Sequence, residues 1–150
     1  MVFEPLAAQR HVQVSEQRTR VDFARVIQWV CDDLYPAAQK IVVVVDNLNT
    51  HGTHSLYKAL PPAEARRLCE RIEWHYTPQH GSWLNMAELE LSVLARQCLS
   101  DRMENVAHLR RQVQAWQERR NGTATRVQWH FTTADARRKL HRLYPKLLLG

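Results

Sequence analysis

The strongest constraint on the fold is a run of five apolar residues, Ile41–Val45, that leads directly into Asp46. Side chains of a β-strand point alternately to its two faces, so an uninterrupted apolar run is typical of a strand buried on both faces of a parallel sheet. Open sheets of this kind bind ligands at the carboxyl ends of their strands. Asp46 is therefore a candidate functional carboxylate. Aspartate also favours turns and helix starts, so the alternative is that Asp46 only caps the next element.

The segments around this run alternate between strand and helix patterns. Strands are predicted at residues 10–16, 40–46, 72–77 and 125–131, and helices at 21–35, 52–70, 83–99, 103–120 and 132–143. Thr19 is the predicted N-cap of the first helix, and Pro61-Pro62 interrupts the second. This order predicts an α/β fold with parallel pairing, in one domain over 1–150 whose 103–150 part is mainly helical and basic.

The composition is that of an ordinary globular protein, since 45% of the 150 residues are hydrophobic and 24% are charged. No apolar run approaches the length of a membrane span, and the first residues lack the pattern of a signal peptide. The three cysteines, Cys31, Cys69 and Cys98, are odd in number and widely spaced. We therefore expect a cytoplasmic protein with no membrane partner, no disulfides and no cysteine zinc site.

Positive charge is concentrated in the carboxyl-terminal third of a chain whose formal net charge is +6. The basic clusters there are Arg110-Arg111, Arg119-Arg120 and Arg137-Arg138-Lys139. We predict that these residues contact DNA, mainly at phosphates and therefore with an affinity that falls as salt rises. The alternative is a solvated face without a partner.

Two carboxylates have a spacing that is compatible with a metal site. Asp46 ends a predicted strand, and Glu88 lies one turn into the helix that follows the next strand. Such positions can meet in an α/β sheet, and paired carboxylates suit a hard cation such as Mg²⁺, whose shell substrate phosphates can complete. A pair of ions held in this way supports in-line attack on phosphodiesters. On spacing alone, two solvated surface acids are the commoner outcome.

Longer motifs give a specific resemblance. The segments VVVVDNLNTH and WHYTPQHGSWLNMAELELSVLARQCL, with VQWHFTTADARRKLHRLYP and FEPLAAQRHVQV, resemble DDE transposases of the IS630 branch of the IS630/Tc1/mariner superfamily. The resemblance covers nearly the whole chain. It implies an RNase H-like fold and an enzyme that cuts and joins DNA at insertion-sequence ends and in target DNA. It also implies three catalytic carboxylates and two Mg²⁺ or Mn²⁺ ions.

On this resemblance, Asp46 matches the second catalytic and metal-binding carboxylate, and Glu88 matches the third because LNMAE parallels the family pattern LNP-E. Glu90 is the rival for the third position, since it points about 200° away from Glu88 around the helix and only one of them can face Asp46. We expect Glu88 to do so. It shares a helix face with three apolar residues, Leu84, Leu91 and Ala95.

The same resemblance implies further site residues. Asn47, His51 and Asn85 are expected to line the site. His80 and Ser82 lie in the loop that enters the Glu88 helix, and a helix amino terminus offers unpaired N–H groups to a phosphate, so both are candidate DNA contacts. Ordinary turn and capping roles would explain the same residues.

The chain also departs from the family pattern. The first aspartate belongs near the end of the first sheet strand, upstream of FEPLA, and the family's amino-terminal DNA-reading region is missing too. Asp22, Asp32 and Asp33 do not substitute, because they lie within or at the end of a predicted helix. We expect an RNase H-like fold truncated at its amino end, in a transposase fragment that is inactive alone. Its exposed strand edge would favour self-association or pairing with a missing amino-terminal half. The alternative is an inactive remnant that binds DNA or a full-length transposase.

Overall fold

The computed structural model describes residues 1–78, 85–100, 102–127 and 132–139. The elements in chain order are β1 (Val2–Glu4), β2 (Gln9–His11), α1 (Arg20–Trp29), a π-helical turn (Val30–Leu34), β3 (Ile41–Val45), α2 (Thr53–Ala59), α3 (Pro62–Arg71), β4 (Ile72–Tyr76), α4 (Met86–Cys98), α5 (Val106–Gly122) and α6 (Thr133–Lys139). This mixture of helices and short strands agrees with the predicted α/β class.

The described strands form two sheets of two strands each. In the first, β1 and β2 are antiparallel, with Phe3 opposite Arg10. In the second, β3 and β4 are parallel and in register along their whole length, while α2 and α3 form the crossover between them. The predicted parallel pairing of these two strands is confirmed.

Helix starts follow the residues that the sequence singles out. The Thr19 hydroxyl accepts from the Asp22 N–H, and the Asp22 carboxylate accepts from the Thr19 N–H at 2.7 Å, so that the two residues form a capping box at α1. The break between α2 and α3 falls at Leu60 and Pro61, with Pro62 as the first residue of α3. The predicted cap of α1 and the predicted break are both confirmed.

Two predicted strands differ from the structure where it describes them. The strand Gln9–His11 overlaps the predicted 10–16 region only at residues 10 and 11. Residues 125–127 are not in a strand, and 128–131 lie outside the described residues.

The prediction that β3 is buried on both faces is wrong. Val42 is 61% exposed and Val44 is 56% exposed. Val42 and Val44 point to the sheet face opposite Ile41 and Val43, and the described elements leave that face largely uncovered. Only the face of β3 that carries Ile41 and Val43 packs against the core.

Apolar side chains form two clusters. The first joins α1, α2 and α3 beneath the parallel sheet, and its buried members are Ala24, Ile27, Cys31, Leu56, Ala65, Leu68 and Ile72. The second joins α4 to α5, and its buried members are Leu94, Val113 and Trp116. A hydrogen bond of 2.7 Å from the Tyr35 hydroxyl to Glu4 connects the end of the π-helical turn to β1. Burial, with the hydrogen bond and charge of Glu4, raises the pKa of Tyr35 to about 12.

All three cysteines are free. Within the described segments, no helix combines the length and the apolar composition needed to cross a membrane. The assignment of residues 1–150 to a single domain stays a prediction.

Candidate active site

Asp46 lies directly after β3, where the parallel sheet ends. Its Oδ1 atom accepts a hydrogen bond from the Leu48 N–H at 3.1 Å and lies 2.5 Å from His51 Nδ1. Helix α2 begins later, after Gly52, and receives no side-chain cap. Asp46 therefore closes a turn, which is part of the alternative interpretation, and contacts His51, but it does not cap α2.

His51 is held on two sides. Its ring nitrogen contacts Asp46, and its ring stacks on Phe23 with centroids 4.7 Å apart and planes 29° apart. Phe23 in turn contacts Trp74 of β4, with ring centroids 6.1 Å apart. The predicted neighbour of Asp46 thus has a fixed orientation, while its role as a site-lining residue stays a prediction.

Asn47 connects the ends of the two parallel strands. Its side-chain amide donates to the Thr77 carbonyl at 2.5 Å, and the Thr77 N–H donates to the Val45 carbonyl at 2.9 Å. These bonds continue the β3–β4 pairing one residue beyond the strands. They fix the backbone that carries Asp46.

Glu88 lies in the first turn of α4, and Asn85 caps that helix. The Asn85 side chain accepts from the Ala87 N–H at 3.1 Å, and its carbonyl accepts from the Glu88 N–H at 3.0 Å. Asn85 thereby fixes the backbone of Glu88, whose carboxylate has no hydrogen-bond or ion-pair partner among the described residues. Leu91 and Ala95, which share the Glu88 face, are exposed, so this face is not the one that packs on the core.

Glu90 occupies the buried face of α4 and is 1% exposed. Its two oxygens accept from Arg10 of β2 at 2.6 and 3.0 Å, and one of them also accepts from Arg120 of α5 at 3.2 Å. Burial alone raises the pKa of Glu90, but the hydrogen bonds and charge of Arg10, helped by Arg120, outweigh it and hold the pKa below its ordinary value.

This ion pair was not predicted from the sequence. Helical spacing is the one pattern that could have indicated it. Glu90 lies four residues before the buried Leu94, and Arg120 lies four residues after the buried Trp116, so each charged residue shares a helix face with a buried apolar one. With both oxygens engaged by arginines, Glu90 is a poor metal ligand. The choice of Glu88 as the third carboxylate stays a prediction.

The described residues fit a hard cation only in part. Oδ2 of Asp46 and both carboxylate oxygens of Glu88 accept no hydrogen bond from any described residue, and such oxygens are the ligands that Mg²⁺ prefers. No group of three candidate ligands comes together within the described part of the chain. No described contact joins Asp46 to Glu88, so that their pairing stays a prediction.

The other aspartates named in the sequence analysis are engaged elsewhere or isolated. Asp22 belongs to the α1 capping box, and Asp32 pairs with Arg67 at 2.7 Å. Asp33 is exposed at the end of the π-helical turn. The expectation that none of them replaces the first catalytic aspartate stays a prediction.

The predicted DNA contacts divide into three groups. Arg110, Arg111 and Arg119 are exposed on α5. Arg120 is largely buried and pairs with Glu90, which makes it unsuitable for phosphate contact. Three further cations, Arg137, Arg138 and Lys139, are exposed on α6.

Arg119 also borders a cavity of about 300 Å³ between α4 and α5, together with Arg102 and His108. His80 and Ser82 lie outside the described residues.

Comparison with known proteins identifies a family. The family described as DDE superfamily endonuclease matches residues 2–110, which include both Asp46 and Glu88. No curated protein and no solved structure matches the chain.

Proposed function

The chain belongs to the DDE superfamily endonuclease family, and we propose that it is the carboxyl-terminal part of the catalytic domain of an IS630-type transposase. The reaction of the complete enzyme would be metal-dependent cleavage and joining of DNA strands during transposition of an insertion sequence. The IS630 assignment is supported by the DNLNTH and LNMAE motifs. The family also implies the RNase H-like form of the α/β fold.

The observation that carries this proposal is the position of Asp46. It follows a parallel strand directly, and His51 and the Leu48 N–H both contact its Oδ1 atom. Hydrogen bonds to one oxygen of a carboxylate fix its orientation and leave the other oxygen available to a cation. His51 would thus act as a positioning residue for Asp46.

Asp46 and Glu88 would hold Mg²⁺ or Mn²⁺. When bound, such ions activate the attacking oxygen and stabilise the leaving oxygen of a phosphodiester. The protein's contribution would be to fix both carboxylates: the turn after β3 fixes Asp46, and the Asn85 cap fixes the first turn of α4, where Glu88 lies. Asn47 would keep the ends of β3 and β4 together beneath the site.

A two-metal site needs a further carboxylate. The described residues offer none beside Asp46 and Glu88, so we expect the 150-residue chain to have little cleavage activity by itself. We also expect it to work with a second polypeptide, which would be another copy or an amino-terminal half of the enzyme.

An inactive, DNA-binding role is the second candidate. It is favoured by the exposure of Arg110, Arg111 and Arg119 along one helix, together with the absence of a third carboxylate among the described residues. Such a chain would bind duplex DNA through phosphates and would cleave nothing.

The test combines calorimetric Mn²⁺ binding with nicking of supercoiled plasmid by the purified chain. We expect Mn²⁺ to bind, Asp46→Asn and Glu88→Gln each to weaken that binding about tenfold or more, and the plasmid to stay intact. Asp33→Asn removes an exposed carboxylate outside the site and should leave Mn²⁺ binding unchanged. Equal binding by wild type and Asp46→Asn would refute the metal site. Nicking that Asp46→Asn abolishes would refute inactivity and support the site.

A further inference from the structure

The cavity between α4 and α5 has a lining that differs from the candidate active site. Its volume of about 300 Å³ is at the lower end of the range for small-molecule sites. Among the described residues that line it are Arg102, His108, Gln112, Trp116 and Arg119, and none of the described lining residues carries a carboxylate. Two cationic side chains therefore border the cavity without an acidic side chain in its described walls.

His108 contributes a buried hydrogen-bond donor that lacks an acceptor. Its Nε2 atom lies 3.3 Å from the side-chain nitrogen of Gln112. An amide nitrogen can only donate, so His108 Nε2 accepts, and the neutral ring carries its proton on Nδ1. This Nδ1 atom is buried and has no hydrogen-bond partner among the described residues. A buried donor without an acceptor is unfavourable, and in a residue that lines a cavity it indicates a bound acceptor.

The two arginines that border the cavity are also unengaged. The guanidinium groups of Arg102 and Arg119 form no hydrogen bond or ion pair with any described residue. Cys98 lies in the cavity wall, where burial raises the pKa of its thiol and the charge of Arg119 opposes that rise. The positive charge of Arg119 therefore acts on the cavity itself.

We propose that this cavity binds a phosphate monoester, with His108 Nδ1–H and the guanidinium groups of Arg102 and Arg119 as donors. A phosphate monoester carries about 1.5–2 negative charges at neutral pH, which two arginines balance. The planar guanidinium fork matches phosphate oxygens, and the buried N–H of His108 would add one directed hydrogen bond.

Two sources could supply this group: a free nucleotide, or the phosphorylated end of a DNA strand. The inference does not depend on the proposed cleavage reaction, since its tests measure binding in the absence of a metal ion.

Calorimetry with thymidine 5′-monophosphate tests the site. Arg119→Gln and His108→Phe should each raise the dissociation constant at least about tenfold, because each removes a charge-assisted hydrogen bond to the phosphate. Arg96→Gln is the matched control for charge, since Arg96 is exposed on α4 and does not line the cavity. It should leave the dissociation constant unchanged. Thymidine, which has no phosphate, should not bind.

Two octathymidylate strands, with and without a 5′-phosphate, distinguish the sources of the monoester. Binding of the phosphorylated strand that is at least about tenfold tighter, and that His108→Phe abolishes, would identify a strand end as the ligand. Equal binding of the two strands, together with binding of thymidine 5′-monophosphate, would identify a free nucleotide.

Thermal unfolding separates loss of binding from loss of folding. Circular dichroism should show that both cavity variants fold, and thymidine 5′-monophosphate should raise the melting temperature of wild type but not of either variant. The proposal would be overturned by a wild-type chain that does not bind thymidine 5′-monophosphate, by equal affinity of wild type and either folded variant, or by thymidine that binds as tightly as its monophosphate.

Discussion

Two glutamates on α4, two positions apart, have opposite surroundings. Glu90 is 1% exposed and bound by Arg10 and Arg120, whereas Glu88 is partly exposed and has no side-chain partner among the described residues. A buried charge is tolerated only when it is paired, and a metal-binding carboxylate must keep its oxygens available. These surroundings favour a structural role for Glu90 and a chemical role for Glu88.

The Glu90→Gln substitution tests this division. It leaves the Arg10 guanidinium, which is fully buried, without its counter-charge, and removing one partner of a buried ion pair costs about 3–5 kcal/mol. Glu88→Gln on the same helix should change the free energy of unfolding by no more than about 0.5 kcal/mol. Urea denaturation of both variants measures the difference. Equal stabilities would contradict the structural role of Glu90.

The loss of stability caused by Glu90→Gln should also depend on pH. The pKa of Glu90 is lower in the folded chain than its ordinary value, so its ionised form stabilises the fold above the unfolded pKa, which is about 4.3. That stability is lost as the pH falls through the folded pKa. The difference in the free energy of unfolding between wild type and Glu90→Gln should therefore have its full size at neutral pH and decrease below about pH 4. A gap that did not change with pH would show that the ion pair is not formed.

At the scale of elements, the same local motif stands at the start of two helices with very different packing. Thr19 and Asp22 form a capping box at α1, and Thr132 and Asp135 make the equivalent hydrogen bonds at α6. Helix α1 buries Ala24 and Ile27, whereas α6 has no buried residue. A cap contributes to global stability only when its helix is part of the packed core.

Thr19→Ala should therefore lower the free energy of unfolding by about 1 kcal/mol, the usual cost of a lost threonine cap. Thr132→Ala is the matched control and should leave the global unfolding transition unchanged, because α6 can fray without exposing core residues. Thermal unfolding followed by circular dichroism compares the two. A larger effect at Thr132 than at Thr19 would mean that α6 contributes to the core.

At the scale of the whole molecule, the sequence predicted local features and the parallel β3–β4 pairing, but not the side-chain contacts between distant elements. The cap at Thr19 and the break at Pro61 depend on neighbouring residues, and both were predicted correctly. The Arg10–Glu90 pair joins residues 80 positions apart, which no local pattern encodes. The exposure of Val42 was mispredicted for a related reason, since an apolar run indicates a buried strand but not which elements cover it.

In the candidate site, too, the contact within one motif was predictable, whereas the approach of two separate elements was not. The motif containing Asp46 and His51 is local, and the structure places the two side chains together. Glu88 lies on another element, and its approach to Asp46 depends on how α4 sits against the parallel sheet. That approach is the central claim, because the proposed chemistry requires both carboxylates at one cation.

Affinity cleavage with Fe²⁺ tests this claim most directly. Fe²⁺ accepts carboxylate ligands and can replace Mg²⁺, and with ascorbate and peroxide it produces radicals that cut the polypeptide backbone close to the ion. We predict cuts near both Asp46 and Glu88, suppressed by excess Mg²⁺ and by Asp46→Asn but not by Asp33→Asn. Cuts near only one of the two carboxylates, or a pattern that Asp46→Asn does not change, would contradict a shared metal site.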